Sequence, residues 1–375
     1  MPVFLTLVNI RYWKLVAVGF GILLSFLLST PQGARFSDSE SYWKTVEMQS
    51  RNPLTPTSVD KHSHAAKKIF RLTVPLMARF LHLDRKGIYL LQCLLMPLML
   101  LMILDLSYAL TQDKLSSVVF MAACISLYFL YSTYQDNTGH LDAFAYFFLL
   151  SAIYFTSPVL IFISCFLASW CDERAFVATF LVLGWWYLRR DETLHAPASL
   201  LPDRRSMAVI ISALTYTLLR IWLQKFTGLS IQLDRYELFL VTNFFHLLPA
   251  LTLIAYGAFW LLILYLLYTL VRRKNFLQIA LLFIPAAVIF LIACMVWDFS
   301  RSISFSFPII FAGLYALKVS LPVDKMRQVL MSIFALSVIT PTIQFDSQWY
   351  HYPSVFFVIF QKVILKFQAL LSPFF

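Results

Sequence analysis

Five short polar stretches interrupt this otherwise apolar chain, and each carries residue types able to do chemistry. RFSDSESY brings Asp38 and Glu40 together soon after the first apolar run. A carboxylate there can act as a general base or as an oxygen ligand for a divalent cation. The plainer reading is two solvated loop acids. KHSH holds His62 and His64 two positions apart, which makes His64 a weak metal-ligand candidate beside Asp38. DNTGHLD places His140 and Asp142 at the start of an apolar run. A helix N-terminus there would welcome a phosphate, and Asp142 could equally serve as its cap. WCDERA sets Cys171, Asp172, Glu173 and Arg174 side by side. Asp172 as an N-cap with Glu173 in the first turn explains two of these charges. Arg174 so near hydrocarbon costs a few kcal/mol unless it is paired or hydrated. WDFSRS carries Asp298 and Arg301 three residues apart, either a local ion pair or a planar fork for a phosphate.

The elements that position these residues are apolar segments. Of 375 residues, 60% are hydrophobic and 13% charged, about half the charged share of a soluble domain. The mean hydropathy is +0.75. These values predict a polytopic membrane protein of the all-α class, because the runs do not alternate as barrel strands must. Expected helices cover roughly 12–30, 88–110, 116–133, 142–155, 157–170, 174–188, 206–224, 247–271, 276–297, 303–318, 328–342 and 354–371. That makes about 11 or 12 crossings in one domain, 1–375. Several are shorter than the ~20 residues of a straight crossing, and 142–155 with 157–170 reads as two short crossings or as a hairpin that enters and returns. The N-terminal apolar run lacks a small-residue cleavage pattern and is read as a retained first helix.

The net charge of +11 falls mostly in short loops, the signature of topology rather than of nucleic-acid binding. With Arg11 and Lys14 in the cytoplasm, Lys114, Arg189, Arg190, Arg204, Arg205, Arg272, Arg273, Lys325 and Arg327 all fall on the inner side. The polar stretches then share the outer side, together with Arg220 at the end of its helix. Residues 31–87 form a long first outer loop ending in AAKKIFRLTVPLMARFLHL. Ile69, Phe70, Leu72, Leu76, Phe80 and Leu81 recur there with helical spacing while Lys67, Lys68, Arg71 and Arg79 take other positions, an interfacial amphipathic segment interrupted or kinked near Pro75. The five cysteines have no metal-type spacing and read as small core residues.

An early acid in a long first outer loop, an interfacial segment closing that loop, about a dozen helices, and charged motifs at later outer ends (CDERAF, DFSRS) resemble the GT-C superfamily of integral membrane glycosyltransferases. The resemblance implies an enzyme of the bacterial inner membrane with its site on the outer face. It implies a sugar donor carried on polyprenyl phosphate, a glycan, lipid or protein acceptor, and a divalent cation such as Mg2+ or Mn2+ as the possible cofactor. It gives Asp38, with Glu40 as substitute, the catalytic role, and Arg174, Arg301 and Arg71 the lipid phosphate, flanked by His140, Asp172, Glu173 and Asp298. Many members add a soluble domain after the last helix, whereas this sequence runs to Phe375 in an apolar segment. Two other readings fit the same hydropathy: a transporter, flippase or polymerase of lipid-linked saccharides, and a non-catalytic membrane subunit.

Overall fold

The computed structural model describes residues 11–28, 42–54, 68–136, 139–190, 202–227, 248–296, 298–340, 342–346 and 348–352. Asp38, Glu40, His62, His64 and the expected helix 354–371 lie outside the described residues. The protein is an all-α polytopic membrane protein. Its helices are α1 (Trp13–Leu28), α2 (Tyr42–Arg51), α3 (Thr73–Leu81), α4 (Arg85–Thr111), α5 (Lys114–Cys124), α6 (Tyr128–Gln135), α7 (Asp142–Tyr154) and α8 (Pro158–Cys171). They continue with α9 (Glu173–Arg189), α10 (Arg204–Thr227), α11 (Leu248–Tyr256), α12 (Trp260–Arg272), α13 (Phe276–Met295), α14 (Phe299–Ser304), α15 (Pro308–Ser320) and α16 (Val323–Ile339). A small antiparallel hairpin, β1 (Thr342–Asp346) with β2 (Gln348–Tyr352), follows α16.

Among the described residues, α4, α10 and α13 are each long and apolar enough to cross a membrane alone. The pair α5 and α6 makes a further span if its 58° bend is counted as one crossing. Helices α1, α7, α8 and α15 are apolar but shorter, in keeping with the expectation that several of the membrane helices fall short of a straight crossing. Segment 116–133, expected as one helix, breaks at Ile125–Leu127. The backbone groups released there are met by Ser126, whose Oγ donates to Ala123 O, and by Leu127 N, which donates to Cys124 O. Irregular backbone at such depth survives only inside protein, and this break is buried. Segment 247–271 likewise divides into α11, a 3-10 turn and α12, and 303–318 is preceded by the buried short helix α14.

The interfacial segment is interrupted near Pro75, though not at it. Residues 68–70 make a separate turn, and α3 begins only at Thr73. Pro75 sits in the first helical turn, where its missing N–H leaves no bond unmade, so the break falls at Arg71–Leu72 and not at the proline. Ile69, Phe70 and Leu72 pack into a satellite cluster with Trp170 and Tyr216, while Phe80 and Leu81 are exposed.

Helix α4 fixes the ends of the bundle. Its 27 residues span about 40 Å at 1.5 Å per residue. At its N-terminal end Arg85 pairs with Glu47. Gln92 Nε2 donates to Thr133 O and Asp136 O, and Tyr89 OH to Tyr134 O, which ties down the C-terminus of α6. At the other end Asp105 meets Lys14 at 2.6 Å, and Asp113, just past α4, accepts a two-pronged contact from Arg327.

Candidate functional site

The local fold around the site begins with short caps. Asp172 closes α8 and caps α9, its carboxylate accepting from Arg174 N at 2.8 Å. Asp142 stands in the first turn of α7 but caps nothing. The residue before it, Leu141, takes a left-handed backbone and no side-chain cap bond forms. The loop ahead of α7 is held instead by Asp136, whose carboxylate accepts from Leu141 N at 3.0 Å. Gly139 has φ +88°, and a Cβ there would lie 3.0 Å from the Trp43 ring, so this turn needs glycine on both counts.

From these positions eight charged side chains form one alternating chain. Asp298 bonds Arg301 at 2.5 Å, Arg301 bonds Asp142 at 2.6 Å, and Asp142 meets Arg174 at 3.3 Å. Arg174 bonds Asp172 at 2.8 Å, and Asp172 meets Arg71 at 2.9 Å. Arg71 then reaches Glu173 at 3.0 Å, and Glu173 lies 3.6 Å from Arg220. Four acids alternate with four arginines, drawn from α7, α8–α9, α10, α14 and the turn before α3. The middle of the chain is buried: the Asp142 side chain is 0% exposed and that of Arg301 3%. Ser302 Oγ accepts from Arg174 Nη1 at 2.8 Å, and the Arg174 guanidinium lies over Phe305. Arg220 stacks 3.9 Å above Phe70. Tyr146 OH donates to Arg301 O and Tyr256 OH to Ile303 O, holding the backbone of α14.

Electrostatics follow from this pairing. Burial works against the Asp172 carboxylate, but Arg174 and Arg71 outweigh it and hold its pKa below the usual carboxylate range. Burial also disfavours the Arg71 guanidinium, yet Asp172 and Glu173 raise its pKa. A buried charge pair earns little net stability on its own, while breaking one exposes the whole desolvation penalty. The chain therefore reads first as a lock that fastens five elements at one end of the bundle.

Beside this chain is a cavity of about 30 Å³, walled by Tyr42, Gln49, Lys68, Arg71, Gly139 and His140 among others. Lys68 Nζ is fully enclosed and has no hydrogen-bond partner; it lies over the Tyr42 ring, 2.7 Å from its centroid. His140 Nδ1 is likewise enclosed without a partner, and its ring packs 4.4 Å from that of Tyr42. Burial first, then Arg71 and Arg301, lower the Lys68 pKa to about 6, with Asp142 and Asp298 opposing. His140 is held well below its usual range by burial and by Arg301, Lys68, Arg71 and Arg174.

The structure thus brings Arg71, His140, Asp142, Asp172, Glu173, Arg174, Asp298 and Arg301 to one end of the bundle. Arg174 and Arg301 spend their N–H groups on acids and Ser302, so they are poorly placed as bare phosphate forks. Lys68 was read in the sequence only as a polar position of the amphipathic segment; that its nitrogen is enclosed depends on α2 packing over it. Among the described residues no three of His, Cys, Asp and Glu could hold a metal ion, and Asp142, Asp172, Glu173 and Asp298 are each bound by arginine. The described residues therefore do not fit a divalent cation. Compared with known protein families, curated proteins and solved structures, the chain matches none.

Proposed function

We propose that the protein is a membrane glycosyltransferase that moves a sugar from a polyprenyl-phosphate-linked donor to an acceptor on the periplasmic or lumenal face. The observation that carries this reading is the gathering of Arg71, His140, Asp142, Asp172, Glu173, Arg174, Asp298 and Arg301 at one end of the bundle. The opposite end of α4 carries Lys14 and Arg327 with their acids, the basic side that faces the cytoplasm. Helix α3, with Phe80 and Leu81 exposed, lies against the same end, so a lipid-borne donor can arrive sideways from the bilayer.

In the reaction the acceptor oxygen bonds to the anomeric carbon while the bond from that carbon to the phosphate oxygen breaks. The electron pair leaves with the phosphate, and the acceptor proton passes to a carboxylate. Asp38, with Glu40 as substitute, is the base. Cations of the site stabilise the charge that develops on the leaving phosphate. The test uses purified protein in lipid nanodiscs with radiolabelled polyprenyl-phosphate hexoses, scored for polyprenyl phosphate released with sugar transferred. Asp38→Asn with Glu40→Gln should lower turnover at least ~100-fold, with the thermal unfolding profile unchanged. Wild-type turnover in that well-folded variant would remove the reading. Movement of intact donor across the bilayer without cleavage would place the protein among transporters.

A further inference from the structure

We propose that the cavity between α2, the 68–71 turn and residues 139–141 is an anion site, in which the Lys68 ammonium and the His140 ring receive the oxygens of a phosphate mono- or diester. The inference rests on the reading above, in that the anion expected at this end of the bundle is the phosphate of a lipid carrier. The cavity itself rests on geometry alone.

Three features point to an anion. Lys68 Nζ and His140 Nδ1 are both buried with no acceptor or donor, on two residues that line the cavity, although nearly every other buried charge nearby is paired. A cationic nitrogen left so is costly unless a partner arrives or the proton leaves. The groups facing it also favour an anion: at Lys68 the cations Arg71 and Arg301 outweigh the acids Asp142 and Asp298. At His140 the strongest charged influences are all cationic, from Arg301, Lys68, Arg71 and Arg174. Tyr42 adds its ring face to Lys68 and no acceptor. Finally, the size is selective. About 30 Å³ holds about two waters, so the cavity fits phosphoryl oxygens presented at its mouth and not a sugar ring. Gln49 Nε2 donates to Lys68 O at 2.9 Å and holds the turn in register.

Binding by this route takes up a proton. With the cavity empty, Lys68 loses its proton above about pH 6. An anion beside it restores the charged form, so affinity falls as pH rises past that point, by up to about tenfold per unit.

The experiment measures binding to the full chain in phosphatidylcholine nanodiscs between about pH 6 and pH 8. One arm adds inorganic phosphate, and the other uses nanodiscs doped with polyprenyl monophosphate. Binding that tightens toward pH 6 is expected, and the arm in which it occurs identifies a free or a lipid-borne phosphate. Lys68→Met should weaken it about tenfold, the loss of one charge-assisted contact, and flatten the pH dependence. It should unfold no earlier than wild type, since the nitrogen it removes bonds to nothing. Lys68→Arg should keep the affinity while losing the slope, and it carries the test should Lys68→Met fail to fold. Absence of binding in both arms, or wild-type affinity and slope in Lys68→Met, overturns the site. Lysine-dependent binding in a protein without transferase activity leaves the site standing and removes the enzyme. Transfer with lysine-independent binding does the reverse.

Discussion

Asp142→Asn is the sharpest probe of the charge chain, because one fully buried carboxylate serves two arginines. It accepts from Arg301 Nε at 2.6 Å and from Arg174 Nη2 at 3.3 Å. The amide is nearly isosteric, so packing survives, but the chain is left with one surplus positive charge. Removing one partner of a buried pair costs about 3–5 kcal/mol. Both arginines keep a second acid, Asp298 and Asp172 respectively, which puts the expected loss near the lower figure, about 3 kcal/mol. Arg301→Met should lose a similar amount, because Asp142 then keeps only the longer contact to Arg174 and Asp298 loses its bond to Arg301. The double variant restores charge balance, so its loss should fall short of the sum by about 2 kcal/mol. Equilibrium unfolding in mixed micelles, followed through the nine tryptophans, reads all three. Single losses below about 1 kcal/mol, or additivity within about 0.5 kcal/mol, would refute the coupled chain.

The remaining expectations probe other parts of the fold. At the opposite end, burial pushes the Asp113 carboxyl up, but hydrogen bonds from Arg327 and Ser116 outweigh it and set its pKa at about 2, against an ordinary 3.8. A lowered carboxylate pKa contributes stability above pH 3.8 that is lost as pH falls toward about 2. Arg327 is partly exposed, so Asp113→Asn should cost about 1 kcal/mol at neutral pH, and the gap from wild type should close in acid unfolding scans near the lower limit. In the helix packing, a Cβ on Gly313 would meet Leu262 Cβ at 2.8 Å and Leu262 O at 2.9 Å. Gly313→Ala should therefore separate α15 from α12 and cost about 1–3 kcal/mol in the same micelle titration. The Glu47–Arg85 pair is partly solvated, and Glu47→Gln should change stability by less than about 1 kcal/mol.

Helix positions were largely legible because lipid leaves the backbone few options: the apolar runs at 88–110, 206–224 and 276–297 became α4, α10 and α13 with their ends shifted by a few residues. The breaks were not legible. Nothing in FMAACISLYFLYS forbids one helix, and the bend at Ile125–Leu127 depends on surrounding protein to satisfy it. The same holds for the exact place of the split ahead of α3, which falls at Arg71–Leu72 and leaves Pro75 inside the first turn. At the site, the cost of an unpaired Arg174 was readable from its place beside an apolar run, and the position of Arg220 at the outer end of its helix raises the same demand. The identities of those partners, Asp142 from α7 and Glu173 from α9, were not, since residues 32 and 47 positions apart in the chain share no local pattern. Lys68 was hidden for a related reason. On an amphipathic segment a lysine reads as solvated, and only the packing of α2 with the 139–141 turn encloses it.

This division explains why the polar motifs overstate how much of the end of the bundle is free to meet a ligand. At the edge of hydrocarbon, each arginine brought inward to fasten helices requires an acid, and each acid another arginine, until the series runs out toward more accessible groups, Asp298 at one end and Glu173 beside Arg220 at the other. A chain built by that rule is neutral, and its buried arginines Arg174 and Arg301 offer a ligand little that they have not already committed to the acids and Ser302. Any recognition of charge then falls to a group outside the alternation. Lys68 is such a group: when protonated it adds one positive charge to a balanced series, it is held by an aromatic face in place of a carboxylate, and it lines the cavity. The arginines give that end its rigidity, and the surplus lysine gives it a polarity that a phosphate can answer.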